Sequence, residues 1–339
     1  MDPESDLEPL TPRKAKQLFQ QNRRGEVAES THRSHGYRVE RFVEWCEDNG
    51  IENMNEITGR HAQRYKLARK GEITKTTLTC QLYTLRVFLR FCAKINAVRD
   101  GVADSVVTPK LDPDERSDDT ILHPDRAKRL LDYLSKYEYA THQHVILRLL
   151  WESGGRTGDV RALDLEDIHT SAGYAELRHR PESDTPLKNG QQSNRDIALT
   201  AQACAVIDDY IDQYRHSVED DYGREPLLTT KFGRMTVNTF RYHLYQMTRP
   251  CMAGRECPHG REPDDCEATE IRHAASKCPD SVSPHAVRRG AITHYLLQET
   301  PKGVVSDRMD VSEEVLDRSY DERSLNEKMQ QRRGYLPDL

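Results

Sequence analysis

Four short elements in the second half of the sequence carry side chains suited to chemistry on an anion. Arg156 closes Glu152-Ser-Gly-Gly-Arg156 and is followed by Thr-Gly-Asp159. Lys188 lies in Pro-Leu-Lys-Asn-Gly, ahead of the strand-like Arg195-Asp-Ile-Ala-Leu199. His285 and Arg288 share His285-Ala-Val-Arg288, preceded by Ser-Pro, and Tyr320 stands in Val315-Leu-Asp-Arg-Ser-Tyr320-Asp. Arginine offers a planar, bidentate clamp for anionic oxygens and keeps its charge. Histidine and lysine carry protons. A tyrosine hydroxyl, with an ordinary pKa of roughly 10, is a weak nucleophile until neighbouring positive charge favours the phenolate. Taken singly, each element has a plainer reading. An arginine in a helix is usually a surface charge, His-x-x-Arg is common, and one tyrosine among fifteen is usually core or surface. Asp159 either braces one of the arginines or caps its own helix.

In this order and at these spacings the set resembles the tyrosine recombinases of the phage integrase family. Members carry an Arg after a Gly-rich helix end, a Lys in a β-turn, a His-x-x-Arg helix start and a Tyr near the C-terminus. The run Ser-Pro-His-Ala-Val-Arg-Arg-Gly resembles the integrases of haloarchaea. The resemblance implies a site-specific DNA recombinase that cleaves and rejoins strands through a 3′-phosphotyrosine link. Arg156 and Arg288 would then clamp the nonbridging phosphate oxygens, an electrostatic form of stabilisation. Lys188 would give a proton to the leaving 5′-oxygen, Tyr320 would attack, and His285 would accept or relay the tyrosine proton. Neither ATP nor a catalytic metal is implied. The implied partners are double-stranded DNA and three further copies of the chain, as a homotetramer on paired sites.

Two positions depart from the family pattern. Gly-His, or a Trp, usually stands about ten residues before the Tyr, whereas this chain has Met309-Asp310-Val311; and Ser319 replaces a common His. An ionised carboxylate cannot donate to a phosphate and repels it. Asp310 is therefore expected to turn away, accepting a hydrogen bond from His285 or a salt bridge from an arginine. The departure also keeps two rivals open: a catalytically inactive DNA-binding protein with the same fold, and a type IB topoisomerase-like nicking enzyme.

These groups must be positioned by two domains. The fold class expected is mainly α with a small β component: a helical block over 11–99, which resembles the family's SAM-like core-binding domain, and a mixed α+β domain over 123–339, which the resemblance makes the catalytic one. An acidic tail, 1–10, precedes them, and 100–122, rich in Asp, Pro, Ser and Val, reads as the linker. Net charge is −6, but 11–110 holds 19 Lys and Arg against 11 Asp and Glu, while 111–339 holds 31 against 41. A basic N-terminal block is how a DNA-binding module appears; a solvated basic surface is the plain alternative. Thr11, Ser30, Thr58 and Thr74 are placed to cap four helices there. The second has an apolar stripe at Val39, Phe42, Val43 and Cys46; the fourth buries Leu78, Leu82, Leu85, Phe88, Cys92 and Ile95. Arg33 and Arg38 on the second, and Lys75, Thr79, Arg86 and Arg90 on the fourth, are candidate DNA contacts. Beyond the linker, helices are expected near 124–135, 141–153, 200–215, 235–248 and from Pro284, with strands near 173–179 and 194–199.

The stretch 250–283 is irregular and rich in cysteine. Cys251, Cys257, Cys266 and Cys278 follow C-x5-C-x8-C-x11-C, with His259 and His273 among them and almost no large apolar residue. Such a segment needs a staple if it is ordered, and a structural zinc on the four cysteines is one; a loose surface loop is the other reading. The start MDPESDLEPL has neither the basic start nor the apolar run of a signal peptide, and no run of apolar residues is long enough to cross a membrane. The expected setting is the cytoplasm, on the nucleoid, with thiols reduced.

Overall fold

A computed structural model describes residues 7–112, 115, 120–253, 256–271, 274–320, 323–333 and 336. The chain divides into two compact units, Met1–Asp118 and Asp119–Leu339.

The first unit is helical. Helix α1, Pro12–Arg23, starts where the Thr11 hydroxyl accepts from the Lys14 amide and Pro12 takes the first turn. Helix α2, Glu29–Asp48, starts at Ala28 without a side-chain cap, so Ser30 lies inside the helix rather than at its edge. Helix α3, Gly59–Arg69, follows Thr58, and α4, Lys75–Lys94, follows Thr74, whose hydroxyl accepts from the Thr77 amide. The predicted stripes on α2 and α4 are buried except for Ile95, which ends α4 half-exposed. Phe19, Phe42 and Phe88 meet edge-on in the middle, Phe19 and Phe88 at 5.4 Å and Phe42 and Phe88 at 6.3 Å. Burying each ring contributes on the order of 1.5–3 kcal/mol. Ala103 and Val106 join this core and Leu122 joins the core of the second unit, so part of the stretch read as linker is packed.

The second unit is built around helix α6, His142–Ser153, in which every residue from His144 on is buried. Helices α5 (Pro124–Tyr137), α8 (Ala201–Gln213), α9 (Val237–Met247) and α11 (Pro284–Leu297) pack against it. A helix buried on all sides needs such a sheath. The sheet is antiparallel, β1-β2-β3: Ile168–His169, Tyr174–Leu177 and Arg195–Ala198, with Ala175 opposite Ile197. A two-stranded hairpin, β4 (Thr229–Thr230) with β5 (Gly233–Arg234), was not expected from the sequence. A short helix α7, Thr157–Ala162, follows α6, and α10, Glu267–Glu270, lies in the cysteine-bearing segment. Helices α12 (Lys302–Met309) and α13 (Glu313–Ser319) pack on α11 through Ile292, Leu296, Val305, Met309, Leu316 and Tyr320. Helix α14 is Leu325–Arg333.

Two glycines make these approaches possible. Gly154 ends α6 at φ +56°, and a Cβ there would stand 2.5 Å from the Met309 sulfur. A Cβ on Gly290, in α11, would run into the Leu122 carbonyl, where the Leu122 amide pairs with the Ala286 carbonyl at 3.0 Å.

Candidate active site

The end of α6 begins the site. Because Gly154 turns the chain with positive φ, its carbonyl accepts from Arg288 Nη1 at 2.7 Å. Arg156 sits at the start of α7, where its amide donates to Asp159 Oδ2 at 3.1 Å. Asp159, 1% exposed, also accepts from Arg195 Nη2 at 2.9 Å. The carboxylate therefore caps its own helix and braces an arginine, but that arginine is Arg195 on β3.

Asp310 lies in the αL corner between α12 and α13, at φ +49°. Arg156 holds it with both terminal nitrogens: Nη1 to Oδ2 at 2.5 Å and Nη2 to the carbonyl oxygen at 2.9 Å. Arg288 Nη2 reaches the same carbonyl at 3.4 Å. Ser193 Oγ donates to Asp310 Oδ2 at 2.8 Å, and Asn189 Nδ2 lies 3.1 Å from both carboxylate oxygens. Of the two partners expected for Asp310, an arginine is the one present. Its carboxylate is seated against Arg156, where the αL corner and three donors hold it. Burial pushes its pKa up, but the bonds from Ser193, Arg156 and Asn189 outweigh that and hold it below the ordinary carboxylate range.

Tyr320 ends α13, anchored where Thr293 Oγ1 donates to its carbonyl at 3.1 Å. Its ring lies edge-on to His285 at 5.8 Å, and the Arg288 guanidinium stands 5.7 Å from the ring centre. Arg288 is 1% exposed. Burial and the nearby Arg156 charge lower its pKa, and a hydrogen bond with Tyr320 opposes them. His285 itself is exposed at the first turn of α11. Arg156, Arg288, His285, Tyr320 and Asp310 thus share one cluster. Lys188 is exposed in the β2–β3 connection, and among the described residues it makes no hydrogen bond or ion pair. Its neighbour Asn189 ties that turn to Asp310.

Sequence reasoning passed over several supports. Arg195 donates to the Arg308 carbonyl at 2.9 Å as well as to Asp159, and Arg308 Nη2 donates to the carbonyls of Glu152 and Ala198, each at 2.8 Å. Glu152 receives the Thr200 hydroxyl at 2.7 Å. The signal for Ser193 and Asn189 was their closeness in sequence to Lys188; nothing local pointed to Asp310.

The candidate DNA contacts of the first unit fare unequally. Arg33 is exposed and makes no bond among the described residues. Arg90 is exposed and pairs with Asp104 at 3.3 Å. Lys75 pairs with Glu115 at 2.5 Å. Arg38 bonds the Thr84 hydroxyl at 3.3 Å, and Arg86 donates to the Val106 carbonyl at 2.5 Å. Thr79 is a correction: it is 6% exposed and its hydroxyl donates to the Lys75 carbonyl, because α4 rolls that edge into the core.

Among the described residues no three His, Cys, Asp or Glu groups stand where they could hold one metal ion. Cys251, Cys257 and Cys266 are half-buried, Cys278 is buried, and His273 lies outside the described residues. As described, these side chains do not fit a shared zinc. The segment is tied otherwise: Arg249 donates to the Ala268 carbonyl, His259 pairs with Asp280 at 3.3 Å, and Ala268, Ala274 and Ala275 are buried.

Comparison with known proteins places these features. The N-terminal SAM-like domain of phage integrases matches residues 19–95. A curated relative, tyrosine recombinase XerC of Pseudomonas putida, is 27% identical over 159 residues, 45% of this chain. The match spans 52% of that relative, about half its length. Among solved structures, the Tn1549 transposon integrase in complex with transposon right-end DNA has a TM-score of 0.66 at 15% identity, covering 96% of this chain and 99% of its own. A lambda integrase dimer bound to a core site has a TM-score of 0.61 at 12% identity, covering 99% of this chain and 81% of its own. These two likenesses concern the fold, mainly α with a small β component. The phage integrase family itself matches residues 120–315, more than half of the sequence and the whole span from Arg156 to Arg288. This chain belongs to the phage integrase family.

Proposed function

We propose that the chain is a site-specific DNA recombinase that breaks and rejoins strands through Tyr320. The observation that carries this reading is the cluster itself: Tyr320 lies beside His285 and Arg288 in the same chain, on the unit that holds Arg156. The tyrosine oxygen attacks the scissile phosphorus, and the P–O5′ bond breaks. His285 takes the tyrosine proton. Lys188 protonates the departing 5′-oxygen. Arg156 and Arg288 face the charge that grows on the nonbridging oxygens, where fixed cations act most strongly. The product is a 3′-phosphotyrosine link and a free 5′-hydroxyl, and reversal on a new 5′-hydroxyl joins strands without ATP or a catalytic metal.

The partners follow from the same reading: double-stranded DNA, and a homotetramer that pairs two sites. The setting is the cytoplasm, on the nucleoid; among the described residues no helix is long and apolar enough to cross a membrane. The XerC likeness and the DNA-bound integrases of the same fold support this reading. A structural zinc on Cys251, Cys257, Cys266 and Cys278 belongs to the proposal only if the segment rearranges to gather them.

A duplex nicked beside the cleavage site tests the function, because the short cut fragment diffuses away and traps the covalent intermediate. A denaturing gel should show a protein–DNA adduct. Its absence, with DNA binding retained, would establish the inactive binder. An adduct without joining between two duplexes would establish the topoisomerase-like nicking enzyme.

A further inference from the structure

Lys188 poses a geometric question. A proton donor must meet the leaving oxygen within hydrogen-bond reach, yet this lysine is exposed and sits in a connection that runs from Leu177 to Arg195 between β2 and β3. Its backbone is nevertheless anchored on both sides. On one side Leu187 is 3% exposed, and its amide donates to His179 Nδ1 at 2.9 Å. On the other, the Asn189 amide donates to Ser193 Oγ at 3.3 Å, and Asn189 Nδ2 reaches Asp310. Ser193 is 1% exposed and donates its own hydroxyl hydrogen bond to Asp310 Oδ2 at 2.8 Å. Asp310 in turn is gripped by Arg156. A chain of bonds therefore runs from the lysine turn to the arginine clamp, with the lysine side chain itself left unbonded.

We propose that Ser193 and Asn189 are positioning residues, which hold the Lys188 turn to Asp310 and thereby set where the lysine delivers its proton. The inference rests on the reading of Lys188 as the acid for the 5′-oxygen. It goes beyond that reading by giving Asp310 a use: the carboxylate is the post to which the lysine turn is tied. In these variants Arg156 keeps its own two bonds to Asp310, so the expected defect lies in proton delivery. Phosphate clamping and tyrosine attack remain.

The test uses the full chain and two nicked duplexes, one ordinary and one with sulfur at the 5′-bridging position of the scissile phosphate. A thiolate leaves without a proton, since thiols ionise near pH 8.5, far below alcohols. Lys188→Ala should cleave the ordinary duplex on the order of 10²–10⁴-fold more slowly and recover on the sulfur duplex. Ser193→Ala and Asn189→Ala should lose roughly 10²-fold on the ordinary duplex, the scale of a small misplacement, and recover on the sulfur duplex. Asn189 is exposed, so its variant keeps the test open if burial makes Ser193→Ala unstable. If Lys188→Ala recovers but the Asn189 variant stays slow on sulfur, or is never slow, the positioning role is wrong while the acid role stands. If Lys188→Ala itself fails to recover, the acid role falls and the inference with it.

Discussion

At the residue scale the chemistry concentrates on Tyr320 and Asp310. Tyr320→Phe keeps the ring that packs against His285 and Arg288 but removes the attacking oxygen. This variant should bind DNA normally and give no covalent adduct on the nicked duplex; an adduct that persists would move the nucleophile elsewhere. Asp310 joins Arg156, Asn189 and Ser193 through one carboxylate, so its loss frees three donors at once. Asp310→Ala should slow cleavage, and Asp310→His should not restore it, because an imidazole cannot accept from all three. A histidine variant faster than the parent would mean that the carboxylate obstructs the phosphate. The bonds that depress its pKa stabilise the ionised form. That stability is fully present above the unfolded value of roughly 3.9 and is lost only as pH falls through the lower folded value. Between pH 5 and 8, then, any titration in the cleavage rate belongs to other groups.

At the scale of elements, the site depends on how tightly α12 approaches the end of α6. Gly154→Ala would force a side chain into positive φ and into Met309. The backbone cost alone is on the order of 1–3 kcal/mol. Urea unfolding should show a loss of that order, and cleavage should fall further, because Arg288 takes its place from the Gly154 carbonyl. An unchanged midpoint would refute this packing. The cysteine-bearing segment makes a contrasting case. Buried alanines and the Arg249 bond to the Ala268 carbonyl tie it down, so Cys257→Ser should leave the melting temperature unchanged. A large drop, together with about one zinc per chain by elemental analysis, would show that the metal is the staple after all.

For the whole molecule, charge and pH separate the two units. The excess of basic over acidic residues in 11–110 predicts that a fragment spanning 7–112 binds duplex DNA and loses affinity as salt rises, through counterion release. A folded fragment that fails to bind in low salt would remove this unit from the interface. The second unit carries two histidines whose pKa values are lowered to about 4: His144 by burial and Arg148, His243 by burial and the stacked His142. Both are neutral when folded. Between their folded values and the ordinary 6.5, the unfolded chain takes up protons that the folded chain refuses. Stability is therefore complete above pH 6.5 and falls as the pH drops toward 4, by at most about 1.4 kcal/mol per pH unit for each histidine. Melting temperatures at pH 7, 6 and 5 should decline, and His243→Gln should flatten the decline.

The sequence by itself determined whatever depends on neighbours along the chain. Thr11 and Thr74 cap helices because a hydroxyl reaches an amide three residues on, and the stripes on α2 and α4 are buried because helical spacing lines them up. The order of Arg156, Lys188, His285, Arg288 and Tyr320 was legible in the same way, as was the basic N-terminal block. Ser30 was misread because Glu29 already lies within the helix, and a cap is decided by where the backbone turns. Thr79 looked outward on a helical projection, but the roll of α4 against its neighbours buried it. That an arginine would hold Asp310 was legible, but not which one, nor the donors beside it. Its partner Arg156 lies 154 residues away, and Ser193 and Asn189 lie 117 and 121 away. Spacing cannot say which donors will surround a carboxylate when they come from a helix start, a strand connection and a corner between helices. Only packing α12 against the end of α6, through a glycine that leaves room for Met309, brought those three elements to one point.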